Sequence, residues 1–372
     1  MEKLSENQKN RVTHIIFYCA FIMEIIIRSL SGAGIDIPHR TALLYLATLL
    51  FGVKVLLTHY TKKEWCVIAL AGIISCIPFI TIRETIWIQI ICMVIAAKDI
   101  DRNQCLKLFF YLLLFTMLGM GIFSACGVLD NFVQVKDFER GGIEVRYCFG
   151  YGQPNVFYSN LLLLTSLGIL TYHKRLKGIH YLLFTLINLF FLYLVASRNG
   201  FVTIQLLILG AYVVYKWPEF MNTKFVYWLG YIGMGGCIVS SFWLLLSESR
   251  VEYYINRLLT GRVTLAKLNA PVSTWTLLPN MIDRQVLDMG FINLMARWGI
   301  LFGCLYIAYM IWVYRRLHVK QDFWGVLIIL VYTVFTMIES HAFSMYFVGN
   351  LMYLIMIGWG QQKDEACIYH RM

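Results

Sequence analysis

The chain has 372 residues, of which 59% are hydrophobic and only 14% charged, with a mean hydropathy of +0.66. Soluble domains carry about a quarter charged residues, so this balance excludes a water-soluble domain, and with it disorder, collagen and coiled coil. Its little polar surface must hold 32 Lys and Arg against 21 Asp and Glu, and its ten cysteines stand singly without a CxxC pair, which argues against a disulfide framework or a zinc site.

A membrane-spanning helix needs about 20 apolar residues. The chain divides into about twelve apolar stretches, at 12–30, 40–58, 65–81, 84–98, 105–128, 153–172, 179–196, 199–215, 225–246, 291–314, 323–339 and 342–359. This pattern predicts an all-α polytopic integral membrane protein with a single transmembrane domain over 1–372. The third and fourth stretches, parted only by Thr81 to Glu84, read as two spans or as two short half-helices. The first carries Glu24 and Arg28 and is followed by no small-residue cleavage site, so it reads as a retained helix. Glu24 stands one helical turn from Arg28 and is its natural ion-pair partner.

Two connections are long, 129–152 and 247–290, and the helix count puts both on one side. With the N-terminus inside, the inner segments hold eighteen basic residues, twelve of them Lys; the outer segments hold eleven, nine of them Arg. Long loops count little in the positive-inside rule, so both termini are expected in the cytoplasm and both loops outside. Lysine suits topology and anionic headgroups, whereas arginine's planar fork grips phosphate or carboxylate with two bonds. The outer arginines therefore point to an anionic ligand, with ion pairs to loop carboxylates such as Glu144, Glu252 and Asp288 as the plain alternative.

Four segments carry chemistry. Arg146 to Asn155 (RYCFGYGQPN) ends the first loop and opens a helix at Pro154, bringing Arg146, Gln153 and Asn155 to a helix N-terminus, where amide groups favour anions. Ser197-Arg198-Asn199-Gly200 is a turn that holds an arginine at the hydrocarbon edge; full burial there would cost about 2–3 kcal/mol. The second loop begins with a stripe of Val251, Tyr254, Ile255, Leu258 and Leu259 that reads as an amphipathic helix on the membrane surface. It continues through Leu258-Leu259-Thr260-Gly261-Arg262 and ends at Asp288, before the helix that bears Arg297. Glu339-Ser340-His341 places an acid and an imidazole two residues apart in a further outer turn. Gly299 and Gly303 read as a close-packing pair.

The order of these segments, over residues 140–350, resembles the Wzy-type polysaccharide polymerases, relatives of the O-antigen ligases. The resemblance implies a GT-C-like bundle with two elaborated extracytoplasmic loops in a bacterial plasma membrane. It implies polymerisation of undecaprenyl-diphosphate-linked oligosaccharide repeat units into a capsule, exopolysaccharide or O-antigen, with no metal, cofactor, nucleotide sugar or nucleic acid. A flippase and a chain-length regulator are the partners it suggests. Arg146, Arg198 and Arg262, with Arg140 and Arg297 in support, would hold the diphosphate; Gln153 and Asn155 would face the glycan. Asp288 stands where the ligases carry a histidine and would be the base, with Glu339 or His341 as the alternative. The other functions open to such a chain are a lipid-linked oligosaccharide flippase, which should show deep intramembrane cations or an internal repeat, and a ligase-like glycan transferase.

Overall fold

The computed structural model describes residues 6–129, 133–137, 143–221, 223–280 and 287–340. Five helices come first: α1 (Glu6–Gly32), α2 (Arg40–Leu57), α3 (Lys62–Ile82), α4 (Ile86–Ala96) and α5 (Arg102–Ala125). An antiparallel hairpin of β1 (Val133–Asp137) and β2 (Ile143–Tyr147) follows. Then come α6 (Pro154–Tyr172), α7 (Gly178–Val195), α8 (Arg198–Lys216), the one-turn α9 (Pro218–Met221) and α10 (Lys224–Leu246). The second long loop folds as α11 (Arg250–Leu258) and α12 (Arg262–Asn269), and α13 (Gly290–Trp298), α14 (Ile300–Val319) and α15 (Phe323–Ile338) complete the described chain. Among the described residues nine helices are long and apolar enough to cross a membrane, and α4 and α15 are shorter apolar helices. The protein is an all-α, multi-pass membrane protein.

Helices are the expected solution, because a backbone in hydrocarbon must satisfy its own hydrogen bonds. Polar side chains inside the spans follow the same rule: Ser166, Thr333 and Thr336 each donate to the carbonyl four residues back. Helix starts are set by local chemistry. Thr61 and Glu64 form a reciprocal capping box at α3, and Asp101, Thr223 and Asp322 cap α5, α10 and α15. The central span is α6, which packs against α5, α8 and α15 and is the most buried of the nine; α3 and α7 lie at the rim with most of their surface outward.

Eleven of the twelve expected stretches are helical, and 342–359 lies outside the described residues. Three expectations are corrected. The third stretch is a full 21-residue helix, and only the fourth, at 11 residues, is short. The first long loop, expected without regular structure, contains a short β-hairpin in an otherwise helical chain. The tenth stretch is two helices, broken at Gly299, whose φ of +88° is open to glycine but strained for other residues. A Cβ there would also strike the backbone of Leu277 and Leu278. The freed amides of Ile300 and Leu301 donate instead to the carbonyls of Thr276 and Leu277, at 3.0 and 3.1 Å, in the second loop. Gly299 is thus a break and not half of a packing pair; Gly303 packs, against Met295 of α13.

Both long loops meet on one side of the bundle, here called the loop face. On the opposite face Lys98 pairs with Glu64 at 2.8 Å and Arg102 with Asp322 at 3.2 Å, and the buried Lys54 donates to the Lys98 carbonyl. Close packing near this face depends on Gly230, where a Cβ would collide with the Tyr314 ring and hydroxyl. Overpacking of this kind costs about 1–3 kcal/mol. Gly230→Ala should therefore lower the melting temperature of the detergent-purified protein, whereas Gly233→Ala, with nothing near its Cβ, should leave it unchanged or higher. Equal melting of the two variants would contradict this packing.

Candidate functional site on the loop face

Arg262 is the first residue of α12, behind Gly261 at a φ of +81°. Leu259, Val263, Ala266 and Ala270 recur at helical spacing and bury themselves with Leu244 and Leu245 of α10 and Ile292 and Ala296 of α13, forming a second apolar cluster under the loop. That packing drives Arg262 inward, to 6% side-chain exposure. A buried guanidinium needs counter-charge, and it has two. Its Nη1 lies 2.6 Å from Glu339 Oε1 and its Nε 3.4 Å from Asp288 Oδ2; Nη1 also donates to the Ile338 carbonyl at 2.6 Å. The three come from α12, the end of α15 and the entry to α13. Those last two elements touch where a Cβ on Gly290 would lie 2.5 Å from the Thr336 carbonyl and 2.7 Å from that of Glu339.

The three groups meet in a poorly solvated place. Burial pushes the Glu339 carboxyl above its ordinary range, against the pull of Arg262's charge and of hydrogen bonds from Arg262 and Asn199. Burial also works against the charge of Arg262, but Glu339 and Asp288 overcome it and hold its pKa up. Glu339 is 3% exposed and Asp288 28%. The two carboxyls therefore differ in kind: Glu339 is a buried support for the arginine, and Asp288 is open to water.

A second group lies alongside. In the hairpin register Gln134 faces Arg146 and Lys136 faces Glu144. Residues two apart on a strand share a face, so Glu144 and Arg146 stand together and pair at 2.6 Å. The other Glu144 oxygen lies 4.0 Å from Arg198, which is 68% exposed. Arg198 opens α8 after a left-handed Ala196. A cation at that end opposes the helix dipole, so guanidinium and helix amides together form a positive edge. Ser197 donates to Asn155 Oδ1 at 2.9 Å, tying this turn to the entry of α6, where Pro154 holds the first position after Gln153. Because Arg198 touches Glu144 and the adjacent Asn199 reaches Glu339, the two groups are neighbours on the loop face.

Of the residues singled out in the sequence, Arg146, Arg198, Arg262, Asp288, Glu339 and Asn155 thus belong to one region. Gln153 is exposed at the α6 entry and caps nothing with its side chain. Arg297 does not join them: it pairs with Glu84 in the α3–α4 turn at 3.2 Å, and the length of α13, about 13 Å at 1.5 Å per residue, separates it from Asp288. Arg140 and His341 lie outside the described residues. Arg28 does pair with Glu24, at 2.5 Å, and donates to Gln89. The residues not foreseen as parts of the site are Glu144, considered only as a loop ion pair, and Asn199. The period-two alternation of Val133, Gln134, Val135 and of Glu144, Val145, Arg146 was the available signal for the hairpin.

The chain matches no family model, no curated protein and no solved structure.

Removing the cation from a buried group of this kind costs about 3–5 kcal/mol. Arg262→Met should therefore sharply lower thermal stability, and adding Glu339→Leu should restore much of it. A double variant no better than the single would contradict the charge argument. A carboxyl raised in the folded protein holds its proton more tightly there than in the unfolded chain, so stability falls as pH rises from the ordinary value of 4.5 to the raised one. Melting curves across that window should show this decline in the parent protein and a shallower one in Glu339→Gln.

Proposed function

We propose that the protein is a polysaccharide polymerase that joins undecaprenyl-diphosphate-linked oligosaccharide repeat units at the outer face of a bacterial plasma membrane. The observation that carries this reading is the gathering of Arg146 and Arg198 around one carboxylate, Glu144, beside the Arg262–Asp288–Glu339 group. A guanidinium pair already holding an anionic group at a membrane edge has the chemistry a lipid diphosphate needs. On this reading the substrate's diphosphate takes the place of Glu144 between the two arginines, and the loop face is outward with both termini in the cytoplasm.

The reaction forms a bond from an acceptor hydroxyl oxygen to the anomeric carbon of the growing chain and breaks the bond from that carbon to the diphosphate oxygen. Negative charge gathers on the departing lipid diphosphate, where Arg146 and Arg198 are fixed to receive it. The hydroxyl proton passes to Asp288, the more open of the two carboxyls, while Glu339 keeps Arg262 and through it Asp288 in position.

Loss of one fixed donor of this kind costs roughly 100-fold or more in rate. Arg146→Ala and Arg198→Ala should reach the membrane yet make little long-chain polysaccharide, with single lipid-linked repeat units accumulating at the outer face. Normal long chains in either variant would sink the diphosphate clamp. Accumulation at the inner face would indicate a flippase instead, and unattached long lipid-linked polymer a ligase. Polymerisation of a purified lipid-linked repeat unit by the isolated protein is the direct assay.

A further inference from the structure

We propose that the β1–β2 hairpin lies within the membrane interface on the loop face, its apolar side against lipid. The pairs Val133–Tyr147 and Val135–Val145 share one face, and Gln134 and Arg146 the other. A hairpin covering a protein in water turns its apolar face inward. This one is reversed: Arg146 is 9% exposed, whereas Val135 is 62% exposed and Val133, Val145 and Tyr147 are also open. A lone two-stranded hairpin is at best marginally stable in water, and one with its apolar side open would be less so.

The occupant of that face follows from where the hairpin sits. β2 packs against α7, and Phe149, just beyond the strand, makes edge contact with Phe191 at 5.7 Å between ring centroids. Phe191 is four residues before the end of α7, so the hairpin's base lies about 6 Å below that end, at 1.5 Å per residue. β2 therefore lies against the upper end of α7, with Glu144 reaching Arg198 just past it. Leu189, Phe190 and Tyr193, exposed on that part of α7, belong to the lipid-facing belt of a membrane span, and the apolar side of the hairpin continues this belt. α11 splits its expected apolar stripe: Ile255 and Leu259 pack inward on the second apolar cluster, while Val251, Tyr254 and Leu258 stay exposed and Glu252 turns to Lys267. Two loop elements that leave large apolar side chains outward match the headgroup–acyl boundary of a bilayer. This inference rests on the membrane architecture alone and not on the polymerase reading.

The test uses the full-length protein in lipid nanodiscs, with a nitroxide carried on a ketone-bearing unnatural amino acid so that the native cysteines are kept. Labels replace Val135 or Val145, with Lys174 as the reference at an aqueous turn and Ile232 as the reference on a lipid-facing span. At 135 and 145, relaxation by oxygen relative to a water-soluble nickel chelate should exceed the Lys174 ratio severalfold and approach that of Ile232. A ratio equal to that of Lys174 overturns the proposal in favour of a solvated lid. Exclusion of both agents with an immobilised spectrum overturns it in favour of a protein partner, including a second copy of this chain. Unlabelled protein gives an independent reading: a lipid with a diazirine on its acyl chain should cross-link peptides from 133–147, and adducts on α7 without any on the hairpin would also overturn it.

Discussion

The buried charge of Arg262 is the constraint around which the loop face is organised. The apolar stripe of α12 forces the residue inward, and once buried it must be answered by Glu339 and Asp288, which fixes the end of α15 and the entry to α13 relative to the second loop. None of these contacts is local in sequence. The arginine acts as a three-way joint, and its cost in desolvation is offset only because both carboxylates and the Ile338 carbonyl converge on it. Gly290 completes the joint by allowing the backbones of α13 and α15 to approach.

Around that joint, three arginines face three carboxylates among the described residues: Arg146, Arg198 and Arg262 against Glu144, Asp288 and Glu339. Loop ion pairs and an anion site need not be exclusive. Arg262, already engaged by Asp288, Glu339 and the Ile338 carbonyl, reads as support. Arg198 is open, stands at a helix N-terminus, and touches its carboxylate only at 4.0 Å. An entering anion would exchange with Glu144 and not add to a bare positive surface, so its affinity would be the difference between two similar interactions.

Much of the architecture was legible because hydrocarbon leaves the backbone few choices. Runs of apolar residues gave the spans, and the boundaries of α7, α8 and α10 fall within a residue of the expected ones. The split at Gly299 was hidden, since Phe291 to Tyr314 reads as one apolar run, and the break is visible only through a positive φ and the loop carbonyls that receive the freed amides. The hairpin was missed because a search for long apolar stretches passes over five-residue strands. Within the site, residue type was informative and partnership was not. Arg146, Arg198 and Arg262 drew attention as arginines at a membrane edge, but nothing in the order of residues pairs Arg297 with Glu84, more than two hundred positions away, or lets Asn199 reach Glu339.

The amide donations of Ile300 and Leu301 to Thr276 and Leu277 have a consequence for how the chain can be cut or extended. The second loop supplies the hydrogen-bond acceptors that the first turn of α14 lacks. Span and loop are therefore one folding unit, although some twenty residues of sequence separate their contacts. Insertions, tags and protease sites placed near 276–278 would unseat a transmembrane helix. The turn at Leu176 to Lys177, on the opposite face, is the better place to open the chain, past the His173 ring that packs on Trp324 of α15.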